Sequence, residues 1–117
     1  MPGRRVLIVE DELMIRMLLE DMLAQLGHKV TASATRVEEA IKAATSGDFD
    51  VAILDVNLEG QPVSAVADAL VARGMPFLFA TGYGQRGLPE QHRDRPILKK
   101  PFQIETLKGI LDQVLAT

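Results

Sequence analysis

The run Val51-Ala52-Ile53-Leu54-Asp55 decides how the rest of the chain is read. Four consecutive apolar residues without polar alternation describe a strand buried on both faces, and the acid that ends the run marks where the strand leaves the core. Val6–Val9 and Phe77–Ala80 have the same character, and weaker runs stand at Val30–Ala34 and Ile97–Leu98. Helical patterns lie between them. Leu13, Met17, Leu18, Leu19, Met22, Leu23 and Leu26 recur at helical spacing, with Gly27 as the stop and Met14, Met17 and Met22 read as core and flank packing. A second helix is predicted from Val37 to about Thr45, with Thr35 and Glu38 at capping-box spacing and Gly47 beyond its last turn. A third is predicted to start near Pro62 and to run through Val66 and Leu70 to Arg73, closed by Gly74. The last carries one stripe of Ile104, Leu107, Ile110, Leu111, Val114 and Leu115.

Strand followed by helix, repeated, means a parallel sheet with right-handed crossovers and helices on both faces, an α/β fold. The 117 residues fit one domain, 1–117, with no output domain attached. One stretch breaks the rhythm. Gly82 to Pro96 holds three glycines, two prolines and several charges, and only Leu88 among the large aliphatics. It reads as a loop with at most one or two helical turns, so that the fourth helix is short or poorly formed. His28 and His92 stand in turn-like, charged surroundings and are expected to be exposed, and Arg93, Asp94 and Arg95 to form a solvated run.

Composition narrows the function. No apolar run approaches the ~20 residues that span a bilayer, and the acids Glu10-Asp11-Glu12 follow the first run at once, which argues against a signal peptide and for a cytoplasmic protein without membrane contact. The absence of cysteine excludes disulfides, thiol catalysis and thiolate metal sites. A formal charge of -3 and an aromatic content of 4% argue against a nucleic-acid partner, which calls for a basic surface or a stacking platform.

In open parallel sheets, ligands bind beyond the carboxyl ends of the strands. Glu10 and Asp11 follow the first run, Asp55 ends the third, Thr81 follows the fourth, and Lys99 and Lys100 follow the fifth. If these strands are neighbours, the polar groups converge in one pocket. Three clustered carboxylates repel one another unless a divalent cation compensates, and all-oxygen ligands with open positions suit Mg²⁺ best. A carboxylate can attack phosphorus to give an aspartyl phosphate, and Mg²⁺, Lys100 and the Thr81 hydroxyl could stabilise charge on the phosphoryl oxygens. Each residue alone has an ordinary explanation: an acid near a helix start, a turn residue, a strand-ending threonine, a surface lysine. The weight lies in four strand ends that all offer what one reaction needs.

The segments VLIVEDE (6–12), AILDVN (52–57), FATG (79–82) and KKPF (99–102) resemble the receiver domain of two-component response regulators over essentially the whole chain. That resemblance implies a flavodoxin-like (βα)5 sandwich with sheet order 2-1-3-4-5. It implies Asp55 as phosphoacceptor, Asp11 as a direct Mg²⁺ ligand, Glu10 assisting through water and Asn57 lending its backbone carbonyl. Thr81 would bind the phosphoryl oxygen, Lys100 would pair with the phosphoryl group, and the Lys100-Pro101 bond would be cis. PFLFATGY (76–83), after DVNLEGQPV (55–63) and ADAL (67–70), resembles more narrowly a subfamily of alphaproteobacterial receivers that stand alone or are fused to HWE-type histidine kinases.

Two departures bear on switching. Ile97 stands where many receivers carry an aromatic ring, so coupling of a threonine shift to that ring cannot operate as drawn; the fourth helix is the other. Tyr83, two residues after Thr81, is placed to influence water access. The expected function is a stand-alone receiver, not a turnover enzyme, phosphorylated by a histidine kinase or histidine phosphotransfer protein. Its output is altered protein contacts or phosphorelay, from a monomer or weak homodimer. Three alternatives compete. A receiver excised from a hybrid kinase would share every motif. An aspartate-nucleophile phosphatase would want a second carboxylate where Asn57 stands, and a flavodoxin-like cofactor carrier a phosphate loop where Glu10-Asp11-Glu12 stands.

Overall fold

In a computed structural model of the chain, the structure describes residues 3–82, 88 and 90–116. Tyr83 and most of the first half of the Gly82–Pro96 stretch lie outside the described residues. The buried runs form the strands β1 (Arg5–Val9), β2 (Lys29–Ala34), β3 (Val51–Asp55), β6 (Phe77–Thr81) and β7 (Ile97–Lys99), all parallel, in the order β2-β1-β3-β6-β7. This is the expected order; β4 (Asn57–Leu58) and β5 (Gln61–Pro62) make a separate small hairpin between β3 and the third helix.

Alternate residues of each inner strand serve the two faces of the sheet. Val6, Ile8, Val51, Ile53, Leu78 and Ala80 pack with Leu19 and Leu23 of α1 (Leu13–Gln25) and with Leu107, Leu111 and Val114 of α4 (Ile104–Leu115). Leu7, Val9, Ala52, Leu54, Phe77 and Phe79 pack with Ala40 and Ala44 of α2 (Val37–Ser46) and with Val66, Ala67 and Leu70 of α3 (Ser64–Arg73). The result is a three-layer α/β sandwich of flavodoxin-like topology. Between β6 and β7 the described residues hold a single 3₁₀ turn, Glu90–His92.

Several local expectations need correction. The helix α3 does not start near Pro62. Pro62 sits in β5, and the two-residue turn Glu59-Gly60, with φ of 50° and 83°, folds the hairpin back on itself before the helix begins at Ser64. Thr35 is held by Glu39 instead of Glu38: both its backbone N–H and its hydroxyl lie 3.3 Å from Glu39 Oε1. Met14 and Met17 are not core; they are 81% and 56% exposed, beside exposed Leu13 and Leu18. Ile15, Leu19, Met22, Leu23 and Leu26 turn inward instead. Because α1 is apolar on most of its circumference, periodicity alone cannot choose its buried side.

The two histidines also depart from expectation. His28 is half-buried and its Nδ1 accepts the Arg4 N–H at 3.0 Å. His92 is buried among aromatic rings. Arg95 is half-buried, its guanidinium 4.4 Å from the centre of the Phe77 ring, so the 93–95 run is not wholly solvated.

Two glycines give a test of opposite signs. Gly74 closes α3 with φ +70°, a left-handed conformation in which any Cβ is strained, whereas Gly109 lies inside α4 with open space around a built Cβ. Gly74→Ala is expected to lower the unfolding free energy by about 1 kcal/mol and Gly109→Ala to raise it by roughly 0.5–1 kcal/mol, measured by denaturant unfolding.

Candidate functional site

The register fixes the site before any side chain is considered. Val9 lies beside Leu54, Asp55 beside Ala80, and Thr81 beside Lys99. Glu10, Asp55, Thr81 and Lys100 thus leave four adjacent strands at one edge. Main-chain bonds complete the frame, with the Glu10 N–H donating to the Ala34 carbonyl and the Lys100 N–H to the Thr81 carbonyl at 2.9 Å. The Lys100-Pro101 bond is cis.

The acids do come together. One carboxylate oxygen from each of Glu10, Asp11 and Asp55 lies within 4.8 Å of the others. Lys100 turns into the cluster, its Nζ 2.9 Å from Glu10 Oε1 and 3.7 Å from Asp55 Oδ2. Lys99, its neighbour, is exposed. Glu10 is almost fully buried, and its second oxygen accepts the Glu12 N–H at 3.1 Å. Asp11 is half-buried, and its Oδ2 accepts the Glu59 N–H at 2.9 Å from the β4–β5 hairpin. Thr81 is buried and Asn57 exposed at the start of the hairpin. Glu10, Asp11, Asp55, Thr81 and Lys100 therefore lie at or just beyond the strand ends, and Asn57 begins the neighbouring hairpin. The hairpin's contribution through Glu59 was not anticipated; Glu59-Gly60 at a two-residue turn was the available signal.

Burial pushes the Asp55 and Glu10 carboxyls above their ordinary values, although Lys100 and nearby N–H groups pull the other way. Burial would lower Lys100, but its bond to Glu10 and the charges of Asp55 and Glu10 outweigh it and raise the ammonium. Lys100 is thus held in its charged form, while the two acids remain short of countercharge. Three oxygen donors with two of the carboxylates half-exposed form a site chemically suited to a hard divalent cation that keeps open positions.

Three comparisons place the chain. The description of the response regulator receiver domain matches residues 6–112. The chain belongs to this family. It is 36% identical over 108 residues to the transcriptional regulatory protein PdtaR of Mycobacterium tuberculosis, covering 89% of this chain and 53% of that protein. The chain therefore spans about half the length of the first curated relatives it matches. A probable chemotaxis protein CheY of Rhizobium etli is 32% identical, with 94% of this chain and 91% of that protein covered. The solution structure of SdrG from Sphingomonas melonis Fr1 superimposes with a TM-score of 0.86 at 41% identity, covering 97% of both chains. Receiver domains are signalling domains, and among the described residues no helix is long and apolar enough to cross a membrane.

The raised Asp55 carboxyl carries a pH signature. A group whose folded value is raised favours folding in its protonated form, and that contribution is lost as pH rises from the ordinary value, 3.8 for Asp, through the folded one. Without divalent cation, Asp55→Asn is expected to stabilise the protein at neutral pH. The advantage should vanish below pH 3.8, where the wild-type carboxyl is protonated in both states; thermal melts across pH check this.

Proposed function

We propose that Asp55 accepts a phosphoryl group from a phosphohistidine on a histidine kinase or phosphotransfer protein, in a Mg²⁺-dependent reaction. The observation that carries this reading is the convergence of Glu10, Asp11, Asp55 and Lys100 at one sheet edge in a chain of the receiver family. An Asp55 carboxylate oxygen forms the new bond to phosphorus while the bond from phosphorus to the donor nitrogen breaks, its electron pair leaving with the imidazole.

Asp11 and Asp55, with Glu10 through water and the Asn57 carbonyl, would hold the cation. Mg²⁺ bound there would offset the acids and the charge of the incoming phosphoryl group. Lys100 stands between Glu10 and Asp55, within one side-chain adjustment of a phosphoryl oxygen on Asp55. Thr81 ends the adjacent strand at the same edge of the sheet, and its hydroxyl would bind a phosphoryl oxygen.

The donor has an apparent place to rest. The first turns of α1, two residues after Asp11, expose Leu13, Met14, Met17 and Leu18, at 57%, 81%, 56% and 41%. An exposed apolar surface of this kind suits contact with a protein partner. Output through altered protein contacts, as a stand-alone receiver, is supported by the near-complete coverage of the Rhizobium etli CheY and of SdrG. The site serves modification of the protein itself and not turnover of an external substrate.

A small phosphoramidate with Mg²⁺ is expected to label each chain once. Asp55→Asn or excess EDTA should abolish labelling, and Lys100→Ala should slow it by about 10- to 100-fold. Intact-mass measurement over time checks all three, and label persisting in Asp55→Asn would overturn the assignment.

A further inference from the structure

His92 is a buried polar ring that the phosphoacceptor site does not use. It lies in the 3₁₀ turn between β6 and β7, and its ring centre is 6.0 Å from that of Phe77 and 6.3 Å from that of Phe79. Phe77 and Phe79 stack edge-on at 5.7 Å. They belong to the face of β6 directed to α2 and α3, while Leu78 and Ala80 belong to the other. By the two-residue period of a strand, Thr81 falls on the same face as Phe77 and Phe79. The ring against Phe79 is therefore two residues along the strand from the hydroxyl at the site. The aliphatic Ile97, in register with Phe79 on the neighbouring strand, is not that ring.

The polar edge of His92 points away from the strand. Its Nε2 is 3.0 Å from Asp68 Oδ1 on α3, and an ionised carboxylate only accepts, so Nε2 carries the proton. The Asp68 side chain is 63% exposed. Losing this bond would leave a buried N–H unpaired, at a cost large enough that ring and carboxylate move as a unit or separate as a discrete event. Leu88, buried in the same cluster, and Arg95, over the Phe77 ring, anchor the rest of the described connection against the same face.

We propose that the His92–Asp68 pair is the element that carries occupancy of Asp55 to the surface of α3, through Thr81 and Phe79. This rests on the phosphoacceptor reading and assigns His92 a positioning role. A shift of the carboxyl end of β6 displaces Phe79. The imidazole follows, and the exposed end of the pair, at Asp68, changes the surface that a protein partner meets. One ring with a fixed hydrogen bond has two discrete arrangements, docked with Asp68 or released from it, which a switch requires.

NMR of the full chain tests this, with Mg²⁺ alone and then with beryllofluoride as the phosphoryl mimic. The His92 ring resonances and the amides of Asp68 and Val71 are expected to shift on saturation, together with those near Asp55 and Thr81. In Asp68→Ala, the response near Asp55 and Thr81 should persist while the α3 response is lost, and Asp68→Glu should restore it. His92→Phe, which keeps the ring packing but has no N–H, should lose the α3 response in the same way and guards against a folding defect in either variant. A His92 ring that stays put while the Asp55 region responds would overturn the proposal and leave the phosphoacceptor reading standing. An α3 response unchanged in Asp68→Ala would do the same. No response at Asp55 or Thr81, with no phosphoramidate labelling, would instead remove the phosphoacceptor reading and this proposal with it.

Discussion

Lys100 Nζ lies 2.9 Å from Glu10 Oε1 and 3.7 Å from Asp55 Oδ2, and the arrangement of the sheet edge depends on that one ammonium. Glu10 is 1% exposed, a position where an ionised carboxylate is costly unless paired and hydrogen-bonded. Its two oxygens are both engaged, one by Lys100 and one by the Glu12 N–H. Asp55 and Asp11 have weaker compensation, and burial leaves Asp55 with a raised carboxyl. A site that holds more negative charge than its own cation balances has a standing attraction for a divalent ion. On the proposed function, that imbalance is what makes the site ready for phosphoryl transfer.

The fold supplies this geometry through strand register. The parallel β1, β3, β6 and β7 end together, so residues distant in sequence leave the core within one pocket. The same strands are buried on both faces, so their ends are positioned by the packed core. The β4–β5 hairpin adds a second layer, with the Glu59 N–H holding Asp11 at 2.9 Å. At the opposite end of the sheet, Arg5 binds both Asp48 and Asp50 and ties the start of β1 to the turn before β3. Hydrogen bonds from its side chain and its backbone N–H hold the Asp50 carboxyl below the usual carboxylate range.

Much of this was legible in the sequence because several strand ends agree with one another. The runs at Val6–Val9, Val51–Leu54 and Phe77–Ala80 are short, rich in β-branched and aromatic residues and alternate with helical patterns, which makes them buried parallel strands whose polar end residues fall at one edge. What was not legible depends on choices that tertiary packing makes. The α1 sequence offers apolar residues on most sides, and only the fit against β1 and β3 selects Leu19 and Leu23 over Met14 and Met17. Pro62 suits a helix start as well as an edge strand, and the Glu59-Gly60 turn decides between them. His92 sits among charges in the sequence, yet Phe77, Phe79 and Asp68 reach it from elsewhere in the fold. Thr35 reaches Glu39 and not Glu38 because the chain enters α2 extended at Arg36.

The central claim is that Asp55, and no other acid of the cluster, becomes the acyl phosphate. Borohydride reduces an acyl phosphate at the carbon that carried it, so treating the phosphoramidate-labelled protein and mapping its peptides by mass spectrometry reads the position directly. The account predicts a reduced side chain at position 55 alone, formed only when Mg²⁺ was present. Reduction at position 10 or 11, or an unreduced label that has settled on His28 or His92, would contradict it.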